Sequence, residues 1–153
     1  SGRKIKLNMN CIIRKAIVSD SITLTRLSEQ LGYSTTVEEV TERVKYLLNK
    51  QDYNIFVADY NNTVIGFISF EKYDLLYFPS GMNITGLVVD INYRNKGIGQ
   101  QLLYVAEQNA IENSLKYVRA NSGSQRIEAH RFYRKNGYAN ERDQKRFIKN
   151  IKI

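Results

Sequence analysis

Residues 84–100 constrain this chain more than any other stretch. An apolar, β-prone run ends in Leu87-Val88-Val89-Asp90, a short turn follows, and Arg94-Asn95-Lys96-Gly97-Ile98-Gly99 opens a long helical pattern. Ile98, Leu102, Leu103, Ala106 and Ala110 recur at helical spacing to about Asn113. Leu115 to Ala120 then reads as a short strand, so the unit is strand, helix, strand and calls for a right-handed crossover. Gly97 and Gly99 lack Cβ atoms, so their backbone N–H groups can approach a ligand closely. The first turn of a helix carries free N–H donors and the positive end of the dipole, a combination that binds phosphates. Arg94 and Lys96 add charge at its mouth. A nucleotide P-loop would need Gly-Lys followed by Ser or Thr, but Gly99 is followed by Gln100-Gln101. A dinucleotide fingerprint would need glycine where Leu102 stands, and its loop would follow the strand more closely. Spacing alone leaves two readings: a phosphate site of another kind, or a helix whose start carries two glycines.

The rest of the pattern is mixed α/β. Residues 11–18 suit a buried strand. Ser19 or Asp20 can cap a helix to about Leu31, with Ile22, Leu24, Leu27 and Leu31 on its apolar side and Gly32 as its stop. Thr36-Val37-Glu38-Glu39 matches a capping box, and Val37, Val40, Val44, Leu47 and Leu48 continue at helical spacing. Residues 54–60 and 63–71 form a hairpin across Asn61-Asn62, since Asn tolerates positive φ. Tyr73 to Gly81 reads as a loop apolar enough to be covered, either lining a pocket or making a dimer contact. Residues 82–90 are the next strand. Ala129, Phe132 and Tyr133 give an apolar face to a helix that stops at Asn136-Gly137, and one or two strands are expected in 138–152. The order β-α-α-β-β-β-α-β-α-β implies a largely antiparallel sheet with helices on both faces.

A chain of 153 residues suits one domain with one core, and 42% hydrophobic content is ordinary for a globular protein. The single cysteine, Cys11, excludes an internal disulfide and a thiolate zinc cluster, and no metal site is expected. Its apolar neighbours Ile12 and Ile13 favour a small buried residue with a raised pKa over a nucleophile. No apolar run approaches the roughly 18 residues a membrane span needs, and no signal-peptide core follows the polar start. The cytoplasm is therefore the expected compartment, with no membrane partner. The net charge of +8 invites a nucleic-acid reading. The excess sits at the ends, however: residues 1–8 carry three basic groups and no acid, and residues 126–153 carry nine basic and three acidic. Between them eleven basic groups face twelve acidic ones, so the body is close to neutral. A solvated basic face and attraction of an anionic cofactor both rank above RNA binding, and no nucleic-acid partner is expected.

Arg94-Asn95-Lys96-Gly97-Ile98-Gly99 resembles the R/Q-x-x-G-x-G/A signature of the GCN5-related N-acetyltransferase (GNAT) superfamily, and Gly86 to Asp90 is similar to its central strand. Downstream, Ala129-His130-Arg131-Phe132-Tyr133-Arg134-Lys135-Asn136-Gly137-Tyr138 resembles the family's A-x-x-F-Y-x-x-x-G-F/Y segment, in the family's order and separation. Leu31-Gly32-Tyr33 looks like a segment of bacterial members between the first two helices. The resemblance covers residues 11–140 in element order. It implies the GNAT fold: a central, largely antiparallel, splayed sheet of six to seven strands, with about four helices on both faces. It implies a single acetyltransferase domain over 9–153, with 1–8 as a basic N-terminal extension in which Ser1-Gly2 suits a cloning remnant and Met9 a natural start.

The resemblance also implies a cosubstrate, acetyl-CoA, and an acceptor, a primary amine of a small molecule or peptide. A homodimer is a further expectation, frequent in the family. Pyrophosphate oxygens would accept from N–H groups of Asn95, Lys96, Gly97, Ile98, Gly99 and Gln100, with Arg94 adding charge at the mouth. The pantetheine arm would lie beside Leu87, Val88 and Val89, in a slot where strands 82–90 and 115–121 splay, with Asn121 bonding the arm. Acetyl transfer needs the amine deprotonated, donors for the oxyanion and an acid for the departing thiolate. Val88 or Val89 N–H is the expected oxyanion donor. Tyr133 matches the family's acid, and a phenol of pKa about 10 can donate while staying neutral at pH 7. No base is visible: Met82, Asn83, Ile84 and Thr85 offer no carboxylate, Glu71 reads as a solvated edge group, and His130 as a surface or packing residue. The alternatives are a non-catalytic acyl-CoA-binding regulatory module of the same fold and a basic RNA-associated domain.

Overall fold

The computed structural model describes residues 11–123, 126–139 and 142–152. These form two compact units that divide in sequence between Ala120 and Asn121. The first contains β1 (Cys11–Lys15), α1 (Ser21–Gln30), α2 (Val37–Leu48), β2 (Tyr53–Tyr60), β3 (Thr63–Leu75), β4 (Phe78–Val89), α3 (Ile98–Glu112) and β5 (Val118–Ala120). The second contains α4 (Ile127–Lys135).

The strands lie in sequence order, β1-β2-β3-β4-β5. The first three pairings are antiparallel and β4–β5 is parallel, as a strand–helix–strand connection through α3 requires. Alternation assigns the two faces. Val57, Phe67 and Val88 point to one side and pack with Leu24 and Leu27 of α1 and Val44 of α2. The opposite side receives α3. There a Cβ on Gly66 would lie 3.3 Å from Leu102 Cδ1 and 2.9 Å from the Val88 carbonyl, so the glycine is what lets the helix sit this close. Helices therefore cover both faces, as the pattern of the sequence implies.

Local rules account for most boundaries. Asn61 and Asn62 turn the β2–β3 hairpin with φ of 50° and 68°. Thr36 caps α2 by accepting the Glu39 N–H at 3.1 Å, while the Glu39 carboxylate accepts the Thr36 N–H at 3.0 Å. Gly32 (φ 96°) ends α1: its N–H bonds the Glu29 carbonyl and the Tyr33 N–H bonds the Ser28 carbonyl, a Schellman closure. Asp20 does not cap α1. Its carboxylate accepts the Ile17 N–H and both terminal nitrogens of Arg14, whose Nε holds Asp59.

Four expectations need correction. The sheet has five strands among the described residues rather than six to seven. No strand forms in the described part of 138–152 (residues 140 and 141 lie outside it): Phe147, Ile148 and Ile151 are all exposed, and the segment has no alternating apolar face to bury. Tyr73 to Gly81 is not a covered loop. β3 runs to Leu75 and β4 starts at Phe78, so the pair is one long hairpin with Leu76 and Tyr77 exposed at its tip. Ile22, assigned to the apolar side of α1, is 68% exposed.

Candidate functional site

β4 carries the site because its edge is only partly used. β5 pairs with Met82, Asn83 and Ile84 and stops, so β4 runs on through Val89 with no neighbour on that side among the strands of its sheet. Among the described residues the pairing thus ends where a splay between strands 82–90 and 115–121 is expected. Thr85 is the extra residue of a bulge, since Gly86 faces Ser69 while Ile84 faces Phe70. The bulge sets which backbone groups meet the open edge. Met82 N–H points to the β5 side, where it bonds the Tyr117 carbonyl at 2.8 Å, and Asp90 N–H points back to Ile65 in β3 at 2.8 Å. Strand alternation then turns the Leu87 and Val89 groups outward and the Val88 groups into the β3 ladder. Of the two candidate oxyanion donors, Val89 is the one on the open edge. Its carbonyl, on the same side, accepts Arg94 Nε at 3.0 Å.

Asp90 joins the strand to the loop. It is buried, accepts the Asn92 N–H at 3.0 Å, and pairs with Arg26 Nη1 of α1 at 2.8 Å. The Asn92 N–H, ahead of Arg26, holds its carboxyl below the usual range against the opposing effect of burial. Asn95 (φ 62°) and Gly97 (φ 83°) are both left-handed. Gly97 is the N-cap of α3 and supplies no side chain to its free N–H groups, and its carbonyl takes the Gln101 N–H at 3.1 Å. Ile98 is 2% exposed and pins the helix start to the core. Arg94, Asn95, Lys96, Gly97 and Gln100 are exposed, and Gly99 is half-buried. The loop thus presents unsatisfied N–H groups and cations to solvent at the end of the open β4 edge. These are the features a diphosphate attached to an extended amide-containing arm requires.

On the face covered by α1 and α2, a cavity of about 470 Å³ opens against the sheet. Its floor includes Ser69 of β3 and Thr85 and Gly86 of β4, the two residues directly before Leu87. Thr85 Oγ1 donates to Ser69 Oγ at 2.7 Å and shares a 2.9 Å bond with the Tyr53 hydroxyl. The Schellman turn at Gly32 delivers Tyr33 to the rim. Sequence reasoning singled out Tyr33 as part of the segment between the first two helices, and it missed Tyr53, Ser69 and Thr85, because hydroxyls on alternating strand positions carry no signal until the bulge places them, and Arg43, because one more cation on a helix carries none. Glu71 pairs with Lys50 at 3.2 Å, which raises the lysine pKa, and it does not line the cavity.

Asn121 and Tyr133 belong to the second unit. Asn121 directly follows β5 in sequence and is exposed. Tyr133 sits in α4, its ring 5.4 Å from Phe132 and 5.6 Å from Tyr138. Burial pushes its phenol up, and Arg126 opposes that. The helix ends in a second Schellman closure: Gly137 (φ 93°) N–H bonds the Arg134 carbonyl, and Tyr138 N–H bonds the Tyr133 carbonyl at 2.9 Å. The G-F/Y half of the sequence motif is thereby explained, since glycine allows the turn and the following aromatic packs on Tyr133. His130 Nε2 bonds the Gly123 carbonyl at 2.9 Å, which fits a packing role. Cys11 is half-buried and its thiol is pushed up, first by burial and then by Asp59.

Among the described residues no group of histidine, cysteine and acidic side chains could hold a metal ion, and no helix is long and apolar enough to cross a membrane.

Residues 23–138 match the model of the acetyltransferase (GNAT) family. The chain is 32% identical over 114 residues to the uncharacterized N-acetyltransferase YhdJ of Bacillus subtilis (strain 168), across 70% of this chain and 75% of that protein. Among solved structures it is similar to a GNAT family acetyltransferase of Staphylococcus aureus, with a TM-score of 0.74 and 26% identity, covering 94% of this chain and 100% of that one. It is also similar to the aminoglycoside acetyltransferase meta-AAC0020 from an uncultured soil metagenomic sample, in complex with trehalose. That match has a TM-score of 0.78 and 25% identity, covering 93% and 97% of the two chains.

Proposed function

We propose, from the premise that this chain belongs to the acetyltransferase (GNAT) family of N-acetyltransferases, that it moves acetyl from acetyl-CoA to the primary amine of a small molecule by direct attack on the thioester. The observation that carries the reading is the open β4 edge at Leu87 and Val89, running through the Asp90 turn into an α3 whose first-turn amides have no side-chain cap. Amides at 95–100, with Arg94 and Lys96, hold the pyrophosphate. Leu87, with the carbonyl of Val89, bonds the amides of the pantetheine arm. Acetyl-CoA supplies the activated acyl group.

The amine reaches the thioester from the cavity whose floor holds Thr85 and Ser69. It must lose a proton first, because an alkylamine has a pKa near 10. Among the described residues no carboxylate lines that cavity. The Tyr53–Thr85–Ser69 hydroxyls therefore orient the amine and water carries the proton away. Val89 N–H donates to the developing oxyanion. Tyr133, kept neutral by burial, protonates the departing thiolate, and Asn121 bonds the arm.

Calorimetry with CoA, followed by a released-thiol assay with acetyl-CoA and a panel of amines, tests this reading. Association with CoA and amine-dependent thiol release are expected. No measurable association with CoA overturns it.

A further inference from the structure

We infer that the acceptor is a hydrophobic monoamine bearing a carboxylate, which Arg43 recognises, and not a polycation. The inference rests on the acetyl-transfer reading above and specifies its substrate class. The cavity between α1, α2 and the sheet has about 470 Å³, within the range of small-molecule sites. Its walls are mostly aliphatic and aromatic, with Leu24, Val44, Ile55 and Phe67 among them. The hydroxyls of Tyr53, Ser69 and Thr85 form its polar floor next to the β4 edge. Among the described residues, the only charged side chain that lines it is Arg43.

The charge pattern decides between acceptor classes. A polyamine or aminoglycoside brings several ammonium groups, and each buried one needs a carboxylate partner. The cavity offers none, and Arg43 would repel them. Glu39, one turn earlier on α2, is already engaged: its carboxylate accepts the Thr36 N–H and the Thr35 hydroxyl. Arg43 Nη1 donates to Thr35 Oγ1 at 3.1 Å, which steadies the guanidinium beside the cavity. A planar guanidinium so held suits bidentate pairing with a carboxylate. An apolar body fits the walls, the carboxylate meets Arg43, and the single amine points to the Thr85 floor.

The test is a thiol-release assay with acetyl-CoA and three matched sets of acceptors. L-leucine and 6-aminohexanoate carry the carboxylate. L-leucinamide and hexylamine lack it. Spermidine and sisomicin are polycations. The carboxylate set should exceed its neutral counterparts by about tenfold or more in kcat/KM. Arg43→Gln should bring that ratio toward one through KM, and Arg43→Lys should restore part of it. Equal responses in the carboxylate and neutral sets, including no response in either, overturn the inference, as does a polycation being preferred. Failure of CoA association would strike the acetyl-transfer reading, so the two failures are distinguishable.

Discussion

Asp90 shows how one residue ties fold to function. Its carboxylate holds the Asn92 amide and Arg26, and so fixes where the strand ends and the loop begins. Because its folded pKa lies below the ordinary value, the stability it contributes is present above the unfolded pKa of about 3.9 and is lost as pH falls through the lower folded value. Urea melts should therefore show Asp90→Asn less stable than the parent at pH 7, with the gap narrowing below about pH 4. Gly81 is a second sensitive position. A Cβ there would run into the Tyr117 ring, which also packs edge-on against Phe78. Gly81→Ala should cost about 1–3 kcal/mol in a denaturant titration, the usual range for overpacking.

At the scale of elements, two helix starts are built for opposite ends. α2 is closed by its own side chains through Thr36 and Glu39. Thr36→Ala should lower stability by about 1 kcal/mol, read as a shift in the urea midpoint at constant m. α3 is left open by Gly97. Gly97→Ala must hold a left-handed residue at φ 83°, which costs about 1–2 kcal/mol, and its main effect should be on ligand binding. CoA affinity should fall about tenfold in calorimetry. Unchanged affinity would argue that the turn does not face the pyrophosphate.

For the whole molecule, thiolate protonation is the role proposed for Tyr133. Tyr133→Phe should then lower turnover by roughly 10²–10⁴-fold while CoA affinity stays nearly intact. Full turnover in that variant would remove the phenol from the mechanism. Because burial raises the Tyr133 pKa, its proton should remain available above the ordinary value near 10, so activity should not fall on the alkaline side below that pH through this group.

Local chemistry in the sequence was enough for the elements whose rules act between neighbours. The Asn61-Asn62 hairpin, the Thr36 capping box, the glycine stops at Gly32 and Gly137, and the uncapped start of α3 all follow from residues within a few positions of one another. So does the loop proposed to hold the pyrophosphate, because its donors would be the backbone of a helix terminus. What depended on distant partners was not legible there. The 138–152 segment looked strand-like, yet strands need an edge and an apolar face, and neither can be read from composition. The acceptor cavity is the clearest case. Tyr53, Ser69, Thr85 and Arg43 lie on four different elements, and only a β-bulge at Thr85 and the packing of α1 and α2 on the sheet bring their polar atoms to one cavity, because side-chain direction in a strand is set by register and register is set by the partner strand.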